Sequence, residues 1–168
     1  MGGLKLLLFD VDGVLTDGTI LVHGDGSESK QFNIKDGAAM VWAQRAGLRI
    51  GLLSARSADA TAIRAAQLGL TLVVQGAANK LAGYQQILSD HALTDAEVGY
   101  MGDDLQDLPV LRRAGFSAAP ADAAPEVRGA VQWISSAGGG RGAVRECIEH
   151  VLRAQGIWTA AVGEFLGS

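Results

Sequence analysis

The sequence predicts an α/β fold, an open doubly wound parallel sheet with an inserted β-hairpin and no lid domain. Three observations predict it. Short, continuously apolar runs of strand length recur along the chain, and apolarity without in–out alternation marks strands covered on both faces. Segments of helical length and spacing lie between these runs. Regular strand–helix alternation then requires parallel strands joined by right-handed crossovers.

The elements follow in order. Lys5–Phe9 is the first strand, Leu48–Leu53 the second main strand and Thr71–Val74 the third, with Val98–Met101 and Phe116–Ala119 completing the set. Asp36–Ala46, Ala58–Leu68, Lys80–His91 and Leu105–Ala114 read as helices, and Gly47, Gly69 and Gly115 stand where a left-handed residue closes a helix. Gly18–Ile34 breaks the pattern: it alternates apolar and polar residues around Gly24-Asp25-Gly26, a hairpin signal placed directly after the first strand. Gly138–Gly142 reads as a flexible joint into a helix at Ala143–Gln155. The tail, Gly156–Ser168, holds Ile157, Trp158, Phe165 and Leu166, and such a tail packs on its own core or on another subunit. One domain over residues 1–168 is expected, with the tail touching a neighbouring subunit.

Composition narrows the function classes. The chain has 168 residues and a net charge of -4, enough length for one well-cored domain. A pI of about 5.3 argues against a nucleic-acid binder working through a basic face. The apolar run Leu6-Leu7-Leu8-Phe9 is far short of the roughly 18 residues of a membrane span. Cys147 is the single cysteine, so no internal disulfide forms, and a reducing, cytoplasmic setting is expected.

Ligands of an open α/β sheet bind outside the carboxyl ends of its strands. Two acidic clusters fall there: Asp10 and Asp12 in FDVDGVLTD, and Asp103, Asp104 and Asp107 in YMGDDLQDLP. Carboxylates converging from two strand ends repel unless a cation lies between them, and an all-oxygen set suits a hard ion, Mg²⁺ first. Gly13 and Gly18 let main-chain N–H groups approach an anion. Taken alone, Asp17 and Asp107 read as caps or solvated groups, but capping does not explain the whole constellation. Ser54 ends the second main strand in GLLSAR, at the same sheet edge. Lys80 opens a helix, where its charge opposes the macrodipole unless an anion such as phosphate is bound.

These residues, in this order, resemble the four motifs of the haloacid dehalogenase superfamily: Asp10-x-Asp12-Gly13, Ser54, Lys80 and Gly102-Asp103-Asp104-x-x-Asp107. The resemblance covers essentially the whole chain and implies a Rossmann-like phosphatase fold. It also implies Asp10 as nucleophile and Asp12 as general acid/base. Mg²⁺ would sit on Asp10, Asp12 and Asp103, and the phosphate on Asp12, Gly13, Ser54, Ala55 and Lys80, with Asp104 and Asp107 orienting metal and lysine. Ala55 stands where the family usually has glycine, which leaves the N–H donor intact if its φ is negative.

Gly18–Met40 with its Lys35-Asp36-Gly37, the segment Gly139–Glu146 and the ending Gly163-Glu164-Phe165-Leu166 resemble the small capless subgroup. Within it they are similar to the 3-deoxy-D-manno-octulosonate 8-phosphate phosphatases of lipopolysaccharide precursor synthesis. That resemblance implies a homotetramer with shared active sites and a sugar-acid phosphate substrate. Arg56, Lys30, Lys35 and Arg141 are the candidate substrate-binding cations, although each also reads as a surface charge. A nine-carbon 9-phosphate is the rival substrate. A receiver-type signalling domain is disfavoured, because the third strand ends in Val74-Gln75-Gly76 where such a domain needs its acceptor Asp. An idle tetramerisation module would be expected to have lost Asp10 or Lys80, and both are present.

Overall fold

The computed structural model describes residues 2–167. The chain runs β1 (Leu6–Phe9), β2 (Leu21–Val22), β3 (Glu28–Ser29), α1 (Ile34–Arg45), β4 (Arg49–Leu53), α2 (Asp59–Gln67) and β5 (Leu72–Val74). It continues through α3 (Lys80–Asp90), β6 (Val98–Met101), α4 (Leu108–Leu111), β7 (Phe116–Ala119), α5 (Pro125–Arg128), β8 (Trp133–Ile134), α6 (Ala143–Ala154) and α7 (Trp158–Leu166). Six strands form one parallel sheet in the order β5-β4-β1-β6-β7-β8, while β2 and β3 pair antiparallel as a separate hairpin.

The chain leaves β1 for β4 and β5 on one side, then returns to β6, β7 and β8 on the other. The winding therefore reverses between β1 and β6, which opens a crevice at their carboxyl ends. β1 shows why its sequence is apolar throughout. Leu6 and Leu8 enter the core shared with Tyr84, Ile87, Val110 and Leu111, and Leu7 and Phe9 enter the opposite core with Met40, Ala43, Val144 and Ile148. All four β1 side chains are fully buried. Each contributes about 1.5–3 kcal/mol of burial, so the strand that positions the site is firmly anchored in both cores.

The structure revises several sequence expectations. Leu105–Ala114 is not one helix: a 3-10 turn, Leu105–Asp107, precedes the short α4. Asp104 and Asp107 form a capping box around the turn, and Pro109 lacks the N–H that a longer helix would need. Gly47 and Gly69 have positive φ as expected, but Gly115 does not. It is glycine because a Cβ would stand 2.7 Å from the Ala96 main chain. β8 and α5 were not expected; at two and four residues they are too short to show a period. Over α7 the tail packs on the chain's own core, with Ala161 and Val162 buried and the Trp42 and Trp158 rings meeting edge to face at 6.5 Å, while Phe165 is left exposed. Among the described residues, no helix is long and apolar enough to cross a membrane.

Candidate active site

Asp10 directly follows β1, and its N–H donates to the Met101 carbonyl at 3.0 Å, extending the β1–β6 ladder by one bond. That fixes its main chain at the crevice. Its Oδ1 accepts from the Val11 N–H at 2.7 Å and its Oδ2 faces Lys80 Nζ at 2.6 Å. The chain then turns tightly, with the Val11 carbonyl accepting from the N–H groups of Leu15 and Thr16. Thr16 Oγ1, fully buried, accepts from Gly13 and Gly18. Gly13 has φ +88°, and a Cβ there would overlap the Asp103 carboxylate.

The Gly138–Gly142 run is not the flexible joint expected from its composition. A Cβ on Gly139 would overlap the Gly13 carbonyl, the Gly140 N–H donates to the Val14 carbonyl at 2.9 Å, and Asn33 Nδ2 donates to the Gly140 carbonyl. These glycines permit a close approach that braces the loop after β1. Asp36 caps the helix beyond them, accepting from the Arg145 N–H at 2.8 Å.

Asp103 and Asp107 arrive from the far side of the crevice. Asp107, fully buried, accepts from Lys80 Nζ at 2.6 Å, from the Tyr100 hydroxyl at 2.5 Å and from the N–H groups of Asp103 and Asp104. Its lone pairs are thus committed to holding Lys80, which is 1% exposed and lies between Asp10 and Asp107. Burial alone would lower the Lys80 pKa, but the two carboxylates outweigh it and hold the group above its ordinary value. Asp10 is pushed up to about 6 by burial and by the Asp107 charge, against the pull of Lys80. Asp103 is pushed up to about 7 by burial and by the charges of Asp10 and Asp107. Carboxylate oxygens of Asp10, Asp103 and Asp107 lie within 4.8 Å of one another, and Asp103 Oδ1 is buried without a hydrogen-bond partner. An all-oxygen set with an orphaned anionic atom and mutual repulsion fits a hard divalent cation on Asp10 and Asp103.

The remaining residues lie at the mouth. Ser54, 3% exposed, follows β4; its N–H donates to the Val74 carbonyl at 2.8 Å and its Oγ accepts from the Arg56 N–H. Ala55 is not left-handed, so its N–H remains available in ordinary backbone. Asp12, Lys30, Glu28 and Arg56 close a ring of alternating charges. Lys30 Nζ bonds Asp12 Oδ1 and lies 3.4 Å from Glu28 Oε1, Arg56 Nη2 donates to Glu28 Oε2 at 2.7 Å, and Arg56 Nε lies 3.5 Å from Asp12 Oδ2. Lys30 is 1% exposed, so it is not a surface charge. Arg141 is exposed and pairs with Asp17 at 3.2 Å, Lys35 is exposed in the first turn of α1, and Asp104 Oδ1 accepts from the Leu105 N–H.

Sequence reasoning missed Tyr100, Thr16, Glu28 and the Gly139–Gly140 turn. Tyr100 sits in a fully buried strand and reads as core, and only the fold brings Glu28 to Arg56.

Residues 55–138 match the family model for haloacid dehalogenase-like hydrolases. The 3-deoxy-D-manno-octulosonate 8-phosphate phosphatase of Escherichia coli K12 is 39% identical over 161 residues, which is 96% of this chain and 86% of that protein. The solved structure of the enzyme of that name from Moraxella catarrhalis, in complex with magnesium, phosphate and 3-deoxy-D-manno-octulosonate (KDO), superposes with a TM-score of 0.94 at 32% identity, covering 98% of this chain and 94% of that one. A cobalt-bound counterpart from Haemophilus influenzae gives 0.90 at 34% identity, covering 94% and 92%.

Proposed function

The chain belongs to the haloacid dehalogenase-like hydrolases, and from that premise we propose that it hydrolyses 3-deoxy-D-manno-octulosonate 8-phosphate with Mg²⁺, through an aspartyl-phosphate on Asp10. The observation that carries the reading is the buried Lys80 bridging Asp10 and Asp107 at the switch point, with Asp103 facing them. The named relatives support the substrate.

The Asp10 and Asp103 carboxylates and the Asp12 main-chain carbonyl are the groups that would hold Mg²⁺, which when bound neutralises charge on the phosphoryl oxygens. Asp10 attacks phosphorus, the bond to the sugar oxygen breaks, and Asp12 gives that oxygen its proton. Asp12 then takes a proton from water as the water oxygen bonds phosphorus and the bond to Asp10 breaks, which releases phosphate and restores both carboxyls. Lys80, the Ser54 hydroxyl and the N–H groups of Asp12, Gly13 and Ala55 hold the phosphoryl group. Asp107 keeps Lys80 in place, and Asp104 caps the turn beneath it. Lys35 and Arg141, and the half-exposed Arg56 where it can turn from its ring partners, are the cations that would meet the sugar acid.

A homotetramer in the cytoplasm, with the tail region contributing to a neighbour's site, completes the reading. The exposed Leu21 and Val22 of the hairpin, at 60% and 71%, support contact between copies, and sedimentation showing a monomer would remove it. The deciding experiment is phosphate release across sugar phosphates, including the nine-carbon acid 9-phosphate, with Asp10→Asn beside the wild type. Preference for the eight-carbon acid, abolished by the substitution, is expected. Even activity across the panel would discard the substrate, and none at all would favour an idle module.

A further inference from the structure

Proton transfer to the leaving oxygen needs a carboxyl oxygen within about 2.6–3.2 Å, held in one orientation. A misplacement of about 1 Å costs ~10²-fold. Asp12 lies on a loop at the open end of the sheet, and the sequence leaves no room for a lid domain to press it into place. A group that reaches that loop must fix its carboxylate.

We propose that Lys30, held by Glu28, is the positioning residue for the general acid Asp12, and that the β2–β3 hairpin supplies the constraint a lid would otherwise give. The inference rests on the phosphatase reading above. Glu28 and Lys30 are two apart in an extended segment, so their side chains leave on one side: Lys30 reaches Asp12 on the loop after β1, and Glu28 reaches Lys30 and Arg56. Lys30 is 1% exposed, too enclosed to serve an incoming sugar. An ammonium buried this far is stable only when paired, and Asp12 and Glu28 are its partners. The ring divides the work of the two Asp12 oxygens. Oδ1 is committed to Lys30, whereas Oδ2 is buried and accepts no hydrogen bond. Oδ2 is therefore the oxygen that carries the proton to the leaving group and later takes one from water. Arg56, 3.5 Å from Oδ2 and bonded to Glu28, ties the hairpin to the loop after β4 and closes the ring.

The test compares wild type, Lys30→Met, Lys30→Arg and Glu28→Gln on two substrates with Mg²⁺. The eight-carbon sugar-acid phosphate has a poor leaving group that requires the acid; p-nitrophenyl phosphate has an acidic phenol that leaves without it. In Lys30→Met, kcat/KM on the sugar phosphate should fall roughly 10²–10³-fold and on p-nitrophenyl phosphate by less than about tenfold. The second step also uses Asp12, so the same variant should release a burst of p-nitrophenolate near one equivalent per site before a slow steady state. Lys30→Arg should recover most of the sugar-phosphate rate, and Glu28→Gln should show the same selectivity at smaller size. The burst counts competent sites, so misfolding cannot imitate the result. Equal losses on both substrates would overturn the proposal. A loss confined to the sugar phosphate with no burst would also overturn it, by making Lys30 a sugar contact. A wild type inactive on both substrates would overturn the phosphatase reading and this proposal with it, whereas an active wild type with either wrong pattern overturns this proposal alone.

Discussion

Replacing Asp103 by Asn should stabilise the metal-free protein while disabling it. Asp103 is one of three carboxylates with oxygens within 4.8 Å of each other, and its Oδ1 accepts no hydrogen bond. The neutral amide therefore relieves repulsion at little cost in bonding. The carboxyl is raised from 3.8 to about 7, so between those values the folded chain binds more protons than the unfolded one. Stability is then full below the lower value and is lost as the pH rises through the upper. At full value the shift amounts to ~4 kcal/mol, about 3 kcal/mol of it lost between about pH 5 and about pH 8. Asp103 is only partly buried, and solvent screening reduces the expectation to about 1–3 kcal/mol, roughly 2–12 °C in Tm. Thermal unfolding with a chelator should place Asp103→Asn above wild type at about pH 8, with the gap closing near pH 5. Added Mg²⁺ should raise the wild-type Tm but scarcely move the variant, whose turnover falls at least ~10²-fold. A variant less stable than wild type at both pH values, or one with an undiminished response to Mg²⁺, would refute the reasoning.

Gly13→Ala combines a left-handed φ with overlap onto the Asp103 carboxylate. It should cost about 1–2 kcal/mol in strain and weaken Mg²⁺ binding at least ~10-fold, as read by melting and by metal titration of turnover. Tyr100→Phe removes the hydroxyl bonded to buried Asp107. A loss of about 1–3 kcal/mol in stability should accompany weaker inhibition by inorganic phosphate, because Lys80 is less firmly held; unchanged inhibition would confine Tyr100 to folding. The Cys147 thiol is fully buried and pushed up by burial. Ellman's reagent should label it only as fast as the chain opens, and immediate labelling of native protein would contradict its place in the core.

Asp10, Asp12, Ser54, Lys80 and Asp103 were legible because each is tied to a strand or helix end, and strand ends can be read from local apolar runs. Lys80 was conspicuous for a physical reason, a cation at a helix start. What could not be read depends on long-range contact. Glu28 meets Arg56 from 28 positions away and Asn33 meets Gly140 from 107, distances over which neither period nor propensity carries information. The glycine run before α6 was misjudged on the same ground: composition shows that glycine permits motion, and only the fold shows a neighbouring backbone occupying the space a side chain would need.

The two charge clusters divide the work of the site by their balance. Around Lys80 the buried carboxylates Asp10 and Asp107 and the partly buried Asp103 face one ammonium, a net excess of two negative charges when all are ionised. The outer ring sets Asp12 and Glu28 against Lys30 and Arg56 and is neutral. A phosphate dianion approaching the inner cluster without a cation meets repulsion that the ring cannot offset, since Lys30 and Arg56 are already paired. One divalent ion brings the inner cluster to neutrality, after which Lys80 and the main-chain N–H groups can hold the anion. In the proposed mechanism cation and phosphate binding are therefore coupled, and the coupling is reciprocal: the same charge that makes the metal-free site self-repelling should make phosphate affinity depend on the divalent ion and the ion's affinity depend on phosphate.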